Sequence, residues 1–366
     1  MERFDAIVVG AGPAGSATAI RLARGGATVL LADRAPFPRD KPCGGGLTGR
    51  AVRELPVDVS PVVEDVVRCF EVRLRYRKRF ERRSEAPLVL MTRRRRLDAF
   101  LAEQAAAAGA DFRDGVTVEG LAMGPDGATL AVGGREVHGR VVVGADGVNG
   151  RIARSAGLGG GIIYGIALEG NGPLRPEQRG RATVELGVVP GGYGWVFPKD
   201  GHANYGVGGW ASEGPRLREH LRRLCDVHRV DVDALTDLQG RRLPIRRTTA
   251  ARRGPVLLVG DAAGLVDPLS GDGIHEALLS ARLAAAAILE SRLDDYEQEL
   301  DTALGRYAET SWKAKLVLDR HPGPAFAIAR LPGVWSVIAG LITGEVTHPS
   351  DAHGLARPPL RLLARL

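Results

Sequence analysis

Short apolar runs that end in glycine or an acid punctuate this chain: Ile7-Val8-Val9 before Gly10, Val141-Val142-Val143 before Gly144, and Val256-Leu257-Leu258-Val259 before Gly260-Asp261. Each is apolar on both faces, the pattern of a strand buried in a parallel sheet. A fourth run, Thr28 to Ala32, closes on Asp33. Helical spacing marks Leu97–Ala108, Gly273–Leu289 and Leu293–Val317, whereas 61–90 and 160–210 alternate as antiparallel strands do. The expected architecture is therefore α/β. Residues 1–60, 93–155 and 250–320 form one discontinuous nucleotide-binding domain, 61–92 and 156–249 an inserted antiparallel-sheet substrate domain, and 321–366 a helical C-terminal segment.

The first run opens a fingerprint, Gly10-Ala11-Gly12-Pro13-Ala14-Gly15, with Asp33 eighteen residues beyond it. Gly10 permits a tight turn, Gly12 lets the backbone approach a pyrophosphate, and Gly15 lets the next helix pack on the strand. Ala14 belongs to the same helix start, whose free N–H groups favour phosphate. Asp33, followed by Arg34, is placed to accept hydrogen bonds from ribose hydroxyls. A Rossmann-like domain that binds a dinucleotide is the reading of this stretch. The fingerprint runs on into Lys41-Pro42-Cys43-Gly44-Gly45-Gly46-Leu47.

Composition narrows the class. The net charge of +7 comes from arginine more than from the five lysines, and neither this bias nor the run Arg93 to Arg96 marks a nucleic-acid partner. The three cysteines, Cys43, Cys69 and Cys225, have no metal-ligand spacing and no even-numbered disulfide framework. No secretory signal is recognised and no apolar run is long enough to span a bilayer, so a cytoplasmic location is expected, with peripheral membrane contact compatible. Oligomeric state is not written in the sequence.

A nicotinamide dehydrogenase needs one fingerprint domain. Here three strand ends carry glycine with an acid: the fingerprint, Gly144-Ala145-Asp146-Gly147, and Gly260-Asp261. Convergence of three such ends suits FAD, a ligand long enough to need separate contacts at adenosine, pyrophosphate and ribityl chain. Asp146 and Gly147 are expected at the cofactor, and Asp261 at a ribityl hydroxyl. The stretch Asp267 to Ile274, with Gly271, Gly273 and Ile274 at a helix start, is expected to aim N–H groups at the flavin pyrimidine.

In this order the motifs resemble the p-hydroxybenzoate hydroxylase-like FAD oxidoreductases over nearly the whole chain. Within that group, Lys41-Pro42-Cys43-Gly44-Gly45 and Tyr193-Gly194-Trp195-Val196-Phe197-Pro198 resemble the Cys-Gly loop and YxWxFP motif of the geranylgeranyl reductase family. The Arg94-x-x-Leu97-Asp98 spacing is similar to the group's pattern and implies that Arg94 contacts FAD, with Cys43 and Gly44 beside it. The resemblance implies saturation of C=C bonds in an isoprenoid lipid. With one GxGxxG present, the external electron donor, NADPH or a ferredoxin-like protein, stays open.

An isolated trisubstituted alkene is not an electrophile, so hydride delivery to it requires a proton donor close by. Cys43 is a candidate for direct or positional catalysis, although a thiol with an ordinary pKa of about 8.5 is a weak acid toward an alkene. A steric gate or simple packing is the alternative. Tyr193, Trp195 and Phe197 fall on one face of a strand and are expected to bind substrate, with Tyr193 and Trp195 also at the chemistry; a plain aromatic core stripe is the other reading. Pro324 to Thr343 is apolar but broken at Pro332-Gly333, which suits an interfacial segment, a tunnel cover or an ordinary docking segment. The competing functions are an FAD-dependent monooxygenase, a halogenase (whose corresponding strand reads WxWxIP) and a flavin carrier without activity.

Overall fold

A computed structural model describes residues 1–246 and 250–348. Residue 249, the expected end of the substrate domain, and the part of the C-terminal segment beyond 348 lie outside the described residues. The first of the large sheets has eight strands. Its parallel centre takes Val256–Leu258, Arg135–Gly144, Glu2–Val9 and Val29–Ala32 side by side, with Val8 level with both Val143 and Leu31. Ile7, Val8, Leu30, Val142 and Leu257 are fully buried there. Each such side chain contributes about 1.5–3 kcal/mol. Arg135–Gly144 thus joins neighbours on either side that are more than a hundred residues away in sequence, and the carboxyl ends of the strands gather at one edge.

Helix α1 (Pro13–Arg24) starts where Gly12 and Pro13 stop the strand and ends on Gly25, with Arg21 and Arg24 in its last turn to complement the dipole. Its start is pressed against the strand so closely that a Cβ on Gly15 would lie 1.8 Å from the Gly10 carbonyl oxygen, so only glycine fits. Helix α2 (Arg94–Ala107) begins three residues before the predicted Leu97, because Arg94 reaches Asp98 one turn on and draws the arginine run into the helix. Ala17 of α1 packs with Leu97 and Leu101 of α2 and with Leu278 of α3 (Ile274–Leu289).

The second large sheet has seven strands, in the order Thr236–Arg246, Ile163–Pro173, His202–Trp210, Tyr193–Pro198, Arg181–Leu186, Cys69–Leu74 and Lys78–Arg83. It departs from the expected antiparallel pattern at one seam, where Arg181–Leu186 runs parallel to Cys69–Leu74. The two strands belong to separate stretches of chain, so no hairpin fixes their direction. In a small third sheet Val89–Met91 stands between Gly46–Thr48 and Asp65–Val67, antiparallel to both, which anchors the far side of the cysteine loop.

The helix predicted over 293–317 is interrupted: a π-helical turn at Asp301–Gly305 separates Tyr296–Leu300 from α4 (Arg306–Arg320). Gly305, a weak helix former, ends that turn. Two apolar helices follow, α5 (Pro322–Ala329) and α6 (Pro332–Thr343), meeting at 92°. They lie on the Cys69–Leu74 and Lys78–Arg83 end of the second sheet, where Phe80 packs against Phe326 and Trp335. Among the described residues, no single helix is long and apolar enough to cross a membrane.

Candidate active site

The fingerprint turn is held from behind by Asp33, whose carboxylate accepts the Ala11 N–H at 2.8 Å and the Ala35 N–H at 2.9 Å. In front of it stand two guanidinium groups. A Cβ on Gly12 would lie 3.6 Å from Arg39 Nη2 and 3.7 Å from Arg94 Nη2. Arg94 is buried and grips Asp98 with two hydrogen bonds of 2.7 Å, while Arg39 reaches the same carboxylate at 2.8 Å. Burial alone would raise the Asp98 carboxyl, yet Arg94 and Arg39 hold it below the usual carboxylate range. The first turn of α1 has no side-chain cap, leaving N–H groups for an anion.

At the third strand end, the Asp261 carboxylate, expected to meet a ribityl hydroxyl, is ion-paired with Arg241 and lies 3.6 Å from Lys41. Burial opposes its charge, and the cations overcome this and bring it down to about 2. Arg241 also donates to the Pro42 carbonyl at 2.9 Å. At the start of α3, Asp272 accepts the Ile274 N–H at 3.0 Å and the Gly271 N–H goes to the Asp267 carbonyl at 2.9 Å, so these two N–H groups are engaged within the protein. Asp146 is turned aside as well. It caps the short helix Ile152–Ser155 through the Arg151 and Ile152 N–H groups, leaving Oδ1 buried without a partner.

Beyond these strand ends lies a cavity of about 470 Å³, within the range of small-molecule sites. The structure brings Cys43 and Gly44 together with Tyr193, Trp195 and Phe197 in its wall, along with Gly12, Ala14, Arg94, Gly147, Asp261, Gly271, Gly273 and Ile274. Gly10, Gly15, Asp33, Arg34 and Asp146 are not part of that lining. The aromatic side chains form a ladder, with centroids 6.0 Å apart from Tyr193 to Trp195 and 6.2 Å from Trp195 to Phe197. Trp195 donates to Asn204 Oδ1 at 2.8 Å, and its ring lies over Gly206, where a Cβ would meet it at 2.1 Å. Tyr193 donates its hydroxyl hydrogen to the Ser270 carbonyl. From this ladder the cavity continues between Phe70, Val72, Trp335, Ile338 and Ile342.

Sequence reasoning missed several polar residues here. Glu169 is 7% exposed and lines the cavity at the end of an otherwise small and apolar row, Gly165, Ala167, Glu169. Burial pushes its carboxyl up to about 7, against the pull of the Cys43 N–H, Lys199, Arg241 and Asn204. Lys199 is buried and donates to the Gly44 carbonyl at 2.6 Å. Its ammonium is brought down to about 8 by burial, opposed by the nearby carboxylates. A lone acid on the ligand-facing side of a glycine-rich strand was the available signal for Glu169. Arg39 and Arg241 carried none, since arginine is common throughout the chain, and Lys41 was read only as part of the cysteine-loop motif.

FAD fits these residues. Four cations, Arg39, Lys41, Arg94 and Arg241, face three carboxylates, Asp33, Asp98 and Asp261, leaving positive charge at an uncapped helix start for a diphosphate. The strand ends and the adjoining apolar cavity are those of an FAD-dependent oxidoreductase. A family model described as an FAD binding domain matches residues 3–163. The chain is 31% identical to the menaquinone reductase of Mycolicibacterium smegmatis, over 97% of this chain and 95% of that protein. It is 31% identical to the chloroplastic geranylgeranyl diphosphate reductase of Oryza sativa subsp. japonica, over 87% and 74%. A geranylgeranyl bacteriochlorophyll reductase-like protein from Thermoplasma acidophilum superposes with a TM-score of 0.80 at 24% identity, covering 100% of this chain and 96% of that one. The chain belongs to the geranylgeranyl reductase family of FAD-dependent oxidoreductases.

Proposed function

We propose that this protein saturates isolated C=C bonds in a polyprenyl chain, either a geranylgeranyl group or the isoprenoid tail of a quinone. The cavity carries this reading: its apolar wall runs from Cys43, Trp195 and Phe197 to Trp335, Ile338 and Ile342, the shape and polarity an extended hydrocarbon requires. Relatives named for geranylgeranyl diphosphate and for menaquinone support the substrate class.

Bound FAD, once reduced by an external donor, supplies a hydride. The protein has to supply the proton, hold the double bond still and keep water out. Glu169 is the acid best suited to that task, because at about 7 its carboxyl still carries a proton near neutrality and sits beside the Cys43 backbone. The Cys43 thiol accepts the Gly45 N–H at 3.3 Å, so its sulfur is fixed within the loop that faces the aromatic ladder. The π faces of Trp195 and Phe197 stabilise positive charge that develops at a tertiary carbon.

The test is anaerobic incubation of dithionite-reduced protein with geranylgeranyl-bearing lipids, read by mass spectrometry. A pair of hydrogens gained per double bond is expected. Unchanged lipid, or an oxygen atom inserted when O₂ is admitted, would overturn the reading in favour of a carrier or a monooxygenase. Cys43→Ser, assayed separately for flavin reduction and alkene reduction, tells a role in the chemistry from a role in cofactor placement.

A further inference from the structure

From Arg75 to Arg83 the chain carries six cations, Arg75, Arg77, Lys78, Arg79, Arg82 and Arg83, and one acid, Glu81. These residues form the tip and outer strand of the hairpin at the edge of the second sheet. Glu81 is committed to Arg181 at 2.9 Å and lies 3.8 Å from Arg83. Arg75, Arg77 and Lys78 are exposed and make no ion pair among the described residues. Charge on an edge strand is a common guard against strand-to-strand association, but this ribbon has an apolar neighbour that such a guard does not need. Helices α5 and α6 pack beside it through Phe80, and Arg82 donates to the Arg330 carbonyl at the turn between them. At that turn Leu331 is 45% exposed, flanked by exposed Ala327 and Pro332. The inner faces of the same helices contribute Ala329, Trp335, Ile338 and Ile342 to the cavity wall.

We propose that the Arg75–Arg83 ribbon and the α5–α6 turn form one docking face for an anionic phospholipid bilayer. The cations meet lipid phosphates while Leu331 and its neighbours enter the interface, the pairing of charge and apolar surface that holds interfacial helices. The helices meet at 92°, and neither alone is long and apolar enough to cross a bilayer. Their inner sides already wall the cavity, so the docked face stands beside the hydrocarbon site. An acidic protein surface would match the cations but not the exposed leucine.

Vesicle flotation of the FAD-loaded full chain tests this, with phosphatidylcholine alone and with phosphatidylcholine mixed with phosphatidylglycerol, at low and high salt. Binding to the mixed vesicles alone is expected, with loss at high salt. The triple variant Arg75→Gln, Arg77→Gln, Lys78→Gln should partition on the order of a hundredfold more weakly, and Leu331→Ser several-fold more weakly. Flavin content and melting temperature confirm that each variant is folded. Equal binding to both vesicle types, no binding, or a triple variant that binds like wild type would overturn the proposal. Absence of vesicle binding together with a dimer that the triple variant breaks would assign the face to a second copy of the chain. No prenyl substrate is present in the assay, so its outcome is independent of alkene reduction.

Discussion

Glu169 is where burial and chemistry meet most directly. Its carboxyl rises from an ordinary 4.5 to about 7 because desolvation outweighs the Cys43 N–H, Lys199, Arg241 and Asn204. Alkene reduction by wild type should therefore fall as pH rises above about 7, where the proton is lost. Glu169→Gln should slow alkene reduction on the order of a hundredfold, leave dithionite reduction of the flavin unchanged, and flatten that pH dependence. A variant with wild-type rate and profile would remove Glu169 from the reaction. Stability moves in the same direction. A raised carboxyl favours the folded state fully below 4.5 and forfeits that advantage as pH climbs through 7. The glutamine variant is spared this loss, so above neutrality its melting temperature should be no lower than wild type. Cys43, Trp195 and Phe197 were legible because their motifs are contiguous in sequence. Glu169 and Lys199 acquire meaning only once strands thirty residues apart stand beside the loop at 43–46.

At the scale of elements, two helix starts frame the diphosphate end. The start of α1 could be read from glycine spacing, since backbone approach leaves no room for other residues. The start of α2 was placed too late: resemblance singled out Arg94 from the four arginines, but the pairing with buried Asp98 that draws the helix start back to it is seen only in the structure. Arg94→Ala should weaken FAD binding by roughly ten- to a hundredfold, about the 1.5–3 kcal/mol of hydrogen bonds to a charged group. Arg94→Lys should restore little, because a point charge cannot span Asp98 and a phosphate together. Titration of the apoprotein with FAD, followed by flavin fluorescence, measures both. The π-helical turn at Asp301–Gly305 escaped notice because hydrophobic spacing reports a helix without reporting its hydrogen-bond register.

Across the whole molecule, the order of motifs announced a nucleotide-binding sheet gathered from distant stretches, and of its three marked strand ends Gly12, Gly147 and Asp261 stand in the cavity wall while Asp33 and Asp146 do not. Period-two alternation identifies a strand but carries no sign of its direction, which is why the parallel seam between Arg181–Leu186 and Cys69–Leu74 was invisible. The role of the C-terminal helices was likewise hidden, since an apolar helix reads the same whether it covers a tunnel or a core. Trp335 closes the far end of the cavity and is 8% exposed. Trp335→Ala should lower stability by about 3–5 kcal/mol and raise KM for a geranylgeranyl chain more than for a geranyl chain, as a comparison of the two substrates would show. An equal effect on both would place the distal wall outside substrate recognition.

Three side chains at the cavity each donate to a main-chain oxygen: Tyr193 to Ser270, Lys199 to Gly44 and Arg241, which also pairs with Asp261, to Pro42. A carbonyl is present whatever residue bears it. The gap between the sheets is thus gauged in part by the path of the backbone, independently of the side chain that a receiving residue such as Ser270 bears. New pocket linings can be tried there without resetting the distance at which a guest is held, which makes the site tolerant of change in what it accepts.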